Sequence, residues 1–189
     1  MSPQLRNLIA TFAGAGKGPS PEEWSRLFDE HASGVRAILY QMGAGADLDD
    51  LVQECWIKIW KGMGKFRGES APKTWIRRIV ANAMIDHYRK RGISPDSQEF
   101  DENAHSPEPV STADSSMQNT EASNVIQTCL NTLSLEHRTV LILAVIEEHT
   151  IEEVASITSV SAGTVKSRLH HAKAKMKEAL KRKGISHEF

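Results

Sequence analysis

Between Ser161 and Lys181 the spacing puts two kinds of side chain on opposite sides of one helix. Val165, Leu169, Ala172 and Met176 recur at i, i+4, i+7 and i+11 and make an apolar stripe. Thr164, Lys166, Ser167, His170 and His171 lie on the other side, with Lys173, Lys175 and Lys177 beyond. Such a face makes hydrogen bonds and ion pairs with base edges and phosphates; it makes no covalent bond. A second set of bases, Lys73, Arg77, Arg78, Arg89, Lys90 and Arg91, falls on residues 71–91, with Asn82 and Asp86 polar at i and i+4. Its density favours phosphate contact over a merely solvated helix. A third set has the opposite sign. Asp50, Gln53, Glu54 and Ile57 share one face by i, i+3, i+4, i+7 spacing, a stripe longer than the helix dipole alone requires.

Catalytic chemistry finds little support. Gly14-Ala15-Gly16-Lys17-Gly18 faintly suggests a phosphate loop. A Walker motif, however, needs Gly at position 11, where Thr11 stands, and Ser or Thr after the lysine, where Gly18 stands. No Ser/His/Asp triad or paired-carboxylate arrangement stands out, and no metal or cofactor is expected. Cys55 and Cys129 follow no metal-ligand spacing and suit a reducing cytoplasm as helix-packing thiols. His170 and His171 are adjacent, so they point apart on a helix and gather no ligand cluster.

The elements that must position these residues read as helices throughout. Ser20-Pro21-Glu22-Glu23 is a capping box that opens the first helix, with Trp24, Leu27, Phe28, Val35, Ile38, Leu39 and Met42 as its buried stripe. Gly43-Ala44-Gly45 ends it. Asp47 is positioned to cap a second helix, about 48–61, whose inner face is Leu48, Leu51, Val52, Cys55 and Ile59. A Gly-rich turn, Gly62–Glu69, leads to the basic helix, where Ile76, Ile79, Val80 and Ala83 face inward. Further on, 125–133 and 135–147 read as helices, and the run Val140–Ile146 reads as fully buried. Thr150-Ile151-Glu152-Glu153 is a second capping box, with Ile151, Val154, Ala155 and Ile157 facing inward. Thr158-Ser159-Val160 makes a tight turn, and Ser161 caps the last helix. The arrangement is a helix-turn-helix, whose second helix enters the DNA major groove.

The chain has 189 residues and a net charge of −1, which taken whole argues against a nucleic-acid binder. Resolved along the sequence, residues 58–91 carry ten bases and two acids, and residues 161–189 carry eight bases and two acids. Residues 20–57 carry two bases and eight acids, and residues 92–121 carry seven acids and no base. Two basic regions separated by acidic ones predict two contacts with a polyanion and separate contacts with other partners. Residues 92–121, with Pro95, Pro107 and Pro109 and many Ser, Asp and Asn, read as a flexible linker. The expected organisation is an extension (1–19), a domain (20–91), the acidic linker, a second domain (122–183) and a tail (184–189). Each domain is small, with a core marginal by itself. No apolar run nears the roughly 20 residues of a membrane span, and the N-terminus makes a poor signal peptide.

The chain resembles the bacterial RNA polymerase sigma factors of the extracytoplasmic-function group, over about residues 24–182. Asp50-Leu51-Val52-Gln53-Glu54-Cys55-Trp56 resembles the family's core-polymerase-binding helix. Phe66-Arg67-Gly68-Glu69-Ser70, with Thr74-Trp75, Arg78-Ile79, Asn82 and Asp86, resembles its −10 segment. Gly163-Thr164-Val165-Lys166-Ser167-Arg168-Leu169-His170 resembles its −35 recognition helix. The resemblance implies an all-α fold, a sigma-2-like bundle and a sigma-4-like helix-turn-helix joined by the linker. It implies that Asp50, Gln53, Glu54 and Ile57 dock on core RNA polymerase, at the clamp helices of the β′ subunit, with the β subunit also in contact. It implies that Phe66, Arg67, Gly68, Glu69, Ser70, Lys73, Arg77, Arg78 and Asn82 contact the −10 element and hold a flipped base. Thr164, Lys166, Ser167, Arg168, His170 and His171 would contact the −35 element of promoter DNA. The linker would lie near the polymerase active-site and RNA-exit channels, as a mimic of nucleic acid. Members are commonly held by an anti-sigma factor, a candidate partner here.

Two departures bear on the details. Ser159 stands where the family usually has Gly, which implies a left-handed backbone at a serine. His171 stands where an Arg is common. A rival reading is a regulator with a C-terminal helix-turn-helix that acts without polymerase; it leaves Asp50–Trp56 and Phe66–Ser70 without a role.

Overall fold

The computed structural model describes residues 20–92 and 121–185. The expected extension and most of the acidic linker and of the tail lie outside the described residues. The described residues form seven α-helices and contain no strand. They are α1 (Pro21–Gln41), α2 (Leu48–Met63), α3 (Pro72–Lys90), α4 (Glu121–Asn131), α5 (Leu135–Leu141), α6 (Ile151–Thr158) and α7 (Ala162–Arg182). None of them is long and apolar enough to cross a membrane.

The local signals act as their chemistry requires. Ser20 Oγ accepts from the Glu23 amide at 3.2 Å, and Glu23 returns a carboxylate to the Ser20 amide at 2.8 Å. Thr150 and Glu153 repeat the box at α6, at 3.2 and 2.9 Å. Asp47 departs from expectation, since its side chain makes no cap bond to α2. Its carboxylate instead takes Arg91 at 2.9 Å and faces His87 at 3.4 Å, both from the far end of α3. A cation is a stronger partner for a carboxylate than an amide is.

The run Val140–Ile146 is also corrected. Val140 to Leu143 are buried, but Val145 and Ile146 are 49% and 43% exposed. After Leu141 the helix widens into a π-helical turn, Ile142–Ile146. The wider turn changes the angle per residue, so the apolar run cannot keep one face.

The two expected domains do not have separate cores. α1 to α3 contribute Trp24, Val35, Ile38, Leu39, Met42, Trp56, Ile59, Ile76, Val80 and Met84 to a buried cluster. Leu130, Leu133, Leu135, Leu141, Ile142 and Ala172 from the second half belong to the same cluster. Trp24 meets the edges of Trp56 and Trp60 at centroid distances of 5.6 and 4.8 Å. In a second cluster Ala81 of α3 packs with Val140, Leu143, Val154, Ile157 and Val165. Full burial of one large aliphatic side chain is worth about 1.5–3 kcal/mol, so sharing cores relieves the deficit each half would have by itself.

A polar junction at the end of α1 joins the halves. The last carbonyls of α1 have no partner within the helix. Arg138 Nη1 donates to Met42 O at 2.9 Å, and its Nη2 donates to Leu133 O and Asn131 O at 3.0 and 3.2 Å. Gln127 Nε2 donates to Tyr40 O at 3.2 Å. Burial lowers the Arg138 pKa, opposed by Tyr88. Gly43 makes the junction possible. It has φ +91°, and a Cβ there would overlap Arg138 Nη1.

Gly43→Ala should therefore lower the free energy of unfolding by about 1–3 kcal/mol in urea titrations. Gly92→Ala is the control: its φ is also positive, +70°, but an added Cβ meets nothing within 4 Å. Equal losses in the two variants would show that the fit against Arg138 is unimportant.

Candidate nucleic-acid interface

The helix-turn-helix forms as its sequence requires. Ser159 ends α6 in the left-handed region, φ 58° and ψ 36°. Ser161 Oγ accepts from the Thr164 amide at 3.1 Å and opens α7. Val165 and Ala172 are buried, and Leu169 and Met176 pack against the shared core. Lys166, Ser167, His170 and His171 are exposed, as are Lys173, Lys175 and Lys177; Thr164 is half-buried. Arg168 differs from the rest. It is half-buried and ion-paired to Glu136 of α5. The His170 and His171 rings meet edge to face at 5.6 Å, and His171 lies 6.2 Å from His137. Among the described residues no His/Cys/Asp/Glu group could hold a metal.

In the first half, the loop between α2 and α3 presents Arg67, Gly68 and Glu69 to solvent, with Phe66 and Ser70 half-buried. Phe66 stacks obliquely on Trp75 at 5.0 Å. Gly62 leaves room for the Trp75 ring, which an added Cβ would strike at 2.8 Å. Asn82 and Lys73 are exposed on α3.

Arg77 and Arg78 are not free. Arg77 is only 4% exposed and fills a space that Gly34 leaves on α1. Its Nε and Nη2 both lie 2.9 Å from Glu147 Oε2, in the turn before α6. Lys73 Nζ donates to the Glu147 carbonyl at 3.2 Å and lies 3.5 Å from its carboxylate. Thr74 Oγ1 donates to Glu153 Oε1 at 3.2 Å, and Arg78 donates to the Ser156 hydroxyl. The start of α3 is thus bound by the helix-turn-helix of the same chain. Glu147 is the residue that local sequence leaves without a role. Its neighbour Glu148 is left-handed at φ 58°, a turn that neither Gly nor Asn signals.

The acidic face of α2 has a different environment. Asp50 is exposed, and Gln53, Glu54 and Ile57 are half-buried. Glu54 pairs with Lys58 at 2.8 Å, and that hydrogen bond lowers its pKa below the ordinary carboxylate value. Cys55 behind it is buried, which pushes its thiol up to about 12; burial raises Cys129 as well. Both thiols are buried, where the thiolate form is disfavoured.

Two histidines line the seam between the halves. His31 faces Glu30 at 3.7 Å, and His149 faces Glu153 at 3.5 Å. Desolvation by burial lowers both pKa values from 6.5; Lys73 acts in the same direction on both, Arg77 on His31, and Glu147 opposes. The unfolded chain therefore takes up these protons more readily than the folded one. The stability they confer is present above about pH 6.5 and lost as pH falls below it. Urea midpoints should fall between pH 7.5 and 5.5, and less steeply in His149→Gln. A midpoint that rises with acid would contradict the burial of two neutral imidazoles.

Comparison with known proteins adds an independent finding. Residues 27–93 match the family described as Sigma-70 region 2, and residues 123–176 match Sigma-70, region 4. The RNA polymerase sigma-H factor of Pseudomonas aeruginosa is 30% identical over 141 residues, covering 71% of this chain and 73% of that protein. The ECF RNA polymerase sigma-E factor of Haemophilus influenzae is 28% identical over 155 residues, covering 78% and 82%. Among solved structures, the sigma factor RpoE in complex with the anti-sigma factor NepR, from Bartonella quintana, aligns with a TM-score of 0.65. Its identity is 26%, over 85% of this chain and 98% of that one. CnrH in complex with the cytosolic domain of CnrY shares the fold, with a TM-score of 0.62 at 20% identity over 94% and 98%.

Proposed function

The chain belongs to the sigma-70 family as an alternative sigma factor of the extracytoplasmic-function group, and we propose how its faces divide the work of directing RNA polymerase to promoters. The observation that carries this division is the presence of two outward polar faces of opposite charge on one folded chain. One is the acidic face of α2 and the other the basic face of α7.

Asp50, Gln53, Glu54 and Ile57 dock on the β′ clamp helices of the core enzyme. Carboxylates on a helix face suit a basic partner surface, and the half-buried Ile57 adds apolar area to the contact. Phe66, Arg67, Gly68, Glu69 and Ser70, with Lys73, Arg77, Arg78 and Asn82, receive the −10 element. Extruding a base costs a few kcal/mol of unstacking, which the aromatic and polar groups of this loop offset. Thr164, Lys166, Ser167, His170 and His171 face the −35 element in the major groove, and each bidentate base contact is worth about 1–3 kcal/mol of discrimination. Arg168, held by Glu136, presents a fixed guanidinium beside them. The protein performs no catalytic step of its own; it acts in the cytoplasm, where the polymerase is. An anti-sigma factor is a partner of the kind this fold accepts, since the Bartonella quintana sigma factor RpoE is seen in complex with one.

Run-off transcription on genomic promoter fragments tests the reading as a whole. Core enzyme plus this protein should give discrete transcripts that core alone does not. Tight duplex binding by the protein alone, with no specific transcript, would favour the rival regulator.

The acidic face has its own test. Asp50→Ala combined with Glu54→Ala should weaken core binding about tenfold or more, since each charge-assisted contact contributes on the order of 1–3 kcal/mol. DNA binding by the same full-length variant should be unchanged. Wild-type affinity for core would remove α2 from the interface.

A further inference from the structure

The outward face of α7, assigned above to the −35 element, is braced from a neighbouring helix. His171 is exposed, yet its ring stands against two others. His170 meets it edge to face at 5.6 Å. His137 of α5 meets it at 6.2 Å, with the ring planes at 88°. Edge and face of aromatic rings attract through their quadrupoles, so such a pair has a preferred orientation. His137 is itself tied down. The Ser134 hydroxyl lies 2.6 Å from its Nδ1 and accepts from its amide at 3.4 Å. The residue before it, Glu136, takes the guanidinium of Arg168. Arg168 and His171 are three apart on α7 and share a face. Glu136 and His137, adjacent in the first turn of α5, therefore support that face at two points. Core packing does not account for His137, which is half-buried while Leu135 and Arg138 beside it are buried.

We propose that His137, fixed by Ser134, is a specificity-determining residue: from outside the recognition helix it positions His171 for one base pair of the −35 element. The proposal rests on the −35 reading of α7. His137 acts through His171, so it is a positioning residue. An imidazole offers donor and acceptor groups on two ring nitrogens, and base edges in the major groove present theirs at fixed places. A reader discriminates between base pairs only when its own orientation is set. Ordering a mobile side chain on binding costs free energy, and a ring already held avoids much of that cost. Glu136 holds the neighbouring guanidinium still, so Arg168 and His171 keep one relative placement.

Full-length protein assembled with core polymerase tests this on a promoter library that carries every base at each −35 position. Sequencing of the bound fraction reads the preferences. Wild type should prefer one base about tenfold at the position that His171 reads, and His171→Ala should identify that position by abolishing the preference there. His137→Gln removes the ring and keeps a good helix former. It should lower the preference at that same position about threefold, the scale of an edge-to-face ring pair. Other positions and the urea midpoint should be unchanged. In His137→Gln combined with His171→Ala, the loss should equal that of His171→Ala alone. A merely structural His137 would weaken binding to all sequences alike and add its effect to that of His171→Ala. Either result overturns the proposal, as does an unchanged preference in His137→Gln. His137→Ala makes the same measurement if the Gln variant fails to fold. Were wild type with core to select no sequence, the sigma-factor reading would fall and this proposal with it. Selection by wild type that His171→Ala leaves intact overturns the positioning role alone.

Discussion

Helix α1 ends in carbonyl groups with no helical partner, and Arg138 closes that end from the other half of the chain. This contact acts together with the shared core and with the ion pairs of α3. A cation at a helix C-terminus is favoured by the dipole as well as by the hydrogen bond, and here both groups are buried. Gly43 must be glycine for the guanidinium to enter. With Arg138 seated, Leu133, Leu135 and Leu141 meet α1 and α2, and one core forms in place of two marginal ones. α7 packs on α5, and α6 lies against α3, where Thr74 and Arg78 bond to Glu153 and Ser156. The helix-turn-helix is thus held by the first half of the protein.

Features settled within a few residues are legible in the sequence. Both capping boxes, the Ser161 cap and the buried stripes of α1, α2 and α7 all follow from local spacing, and the left-handed Ser159 follows from the resemblance, which places it at a glycine position. The caps and stripes are decided by groups three or four positions apart. What escapes depends on distant partners. Asp47 suits a cap, but Arg91 and His87 arrive from the far end of α3 and claim it. The apolar run to Ile146 suits burial, but a π-helical turn changes its phase, and no residue type announces that turn. The meeting of the two halves leaves no periodic signal, because the faces involved lie on either side of the linker.

The candidate site divides the same way. Outward residues of α7 and the acidic face of α2 are legible because helical spacing alone separates a polar face from an apolar one. Arg77 has the sequence context of a base for phosphate contact, and nothing local can show it buried. Its partner Glu147 stands 70 residues on. The backbone turn at Glu148 that leads into α6 uses a positive φ at a residue type that rarely adopts one. Such strain persists only where the surroundings hold it; here the surroundings are α3 and the buried His149.

Charge makes the same point at the scale of the chain. Residues 122–160 carry five acids and one base, and residues 58–91 carry ten bases and two acids. Read as separate domains, these are a solvated acidic stretch and a polyanion-binding surface. Folded, Glu147 and Glu153 of the first stretch meet Lys73, Arg77 and Thr74 of the second, so the protein is its own first counterion there. The same bases cannot serve a carboxylate and a phosphate at once. A net charge of −1 is therefore not evidence against nucleic-acid binding. It is what remains when basic residues of α3 are matched by acids of the second half and further acids lie exposed on α2. Any anion that entered this end of α3 would first have to separate charges within the protein, at the desolvation cost that a half-buried pair carries.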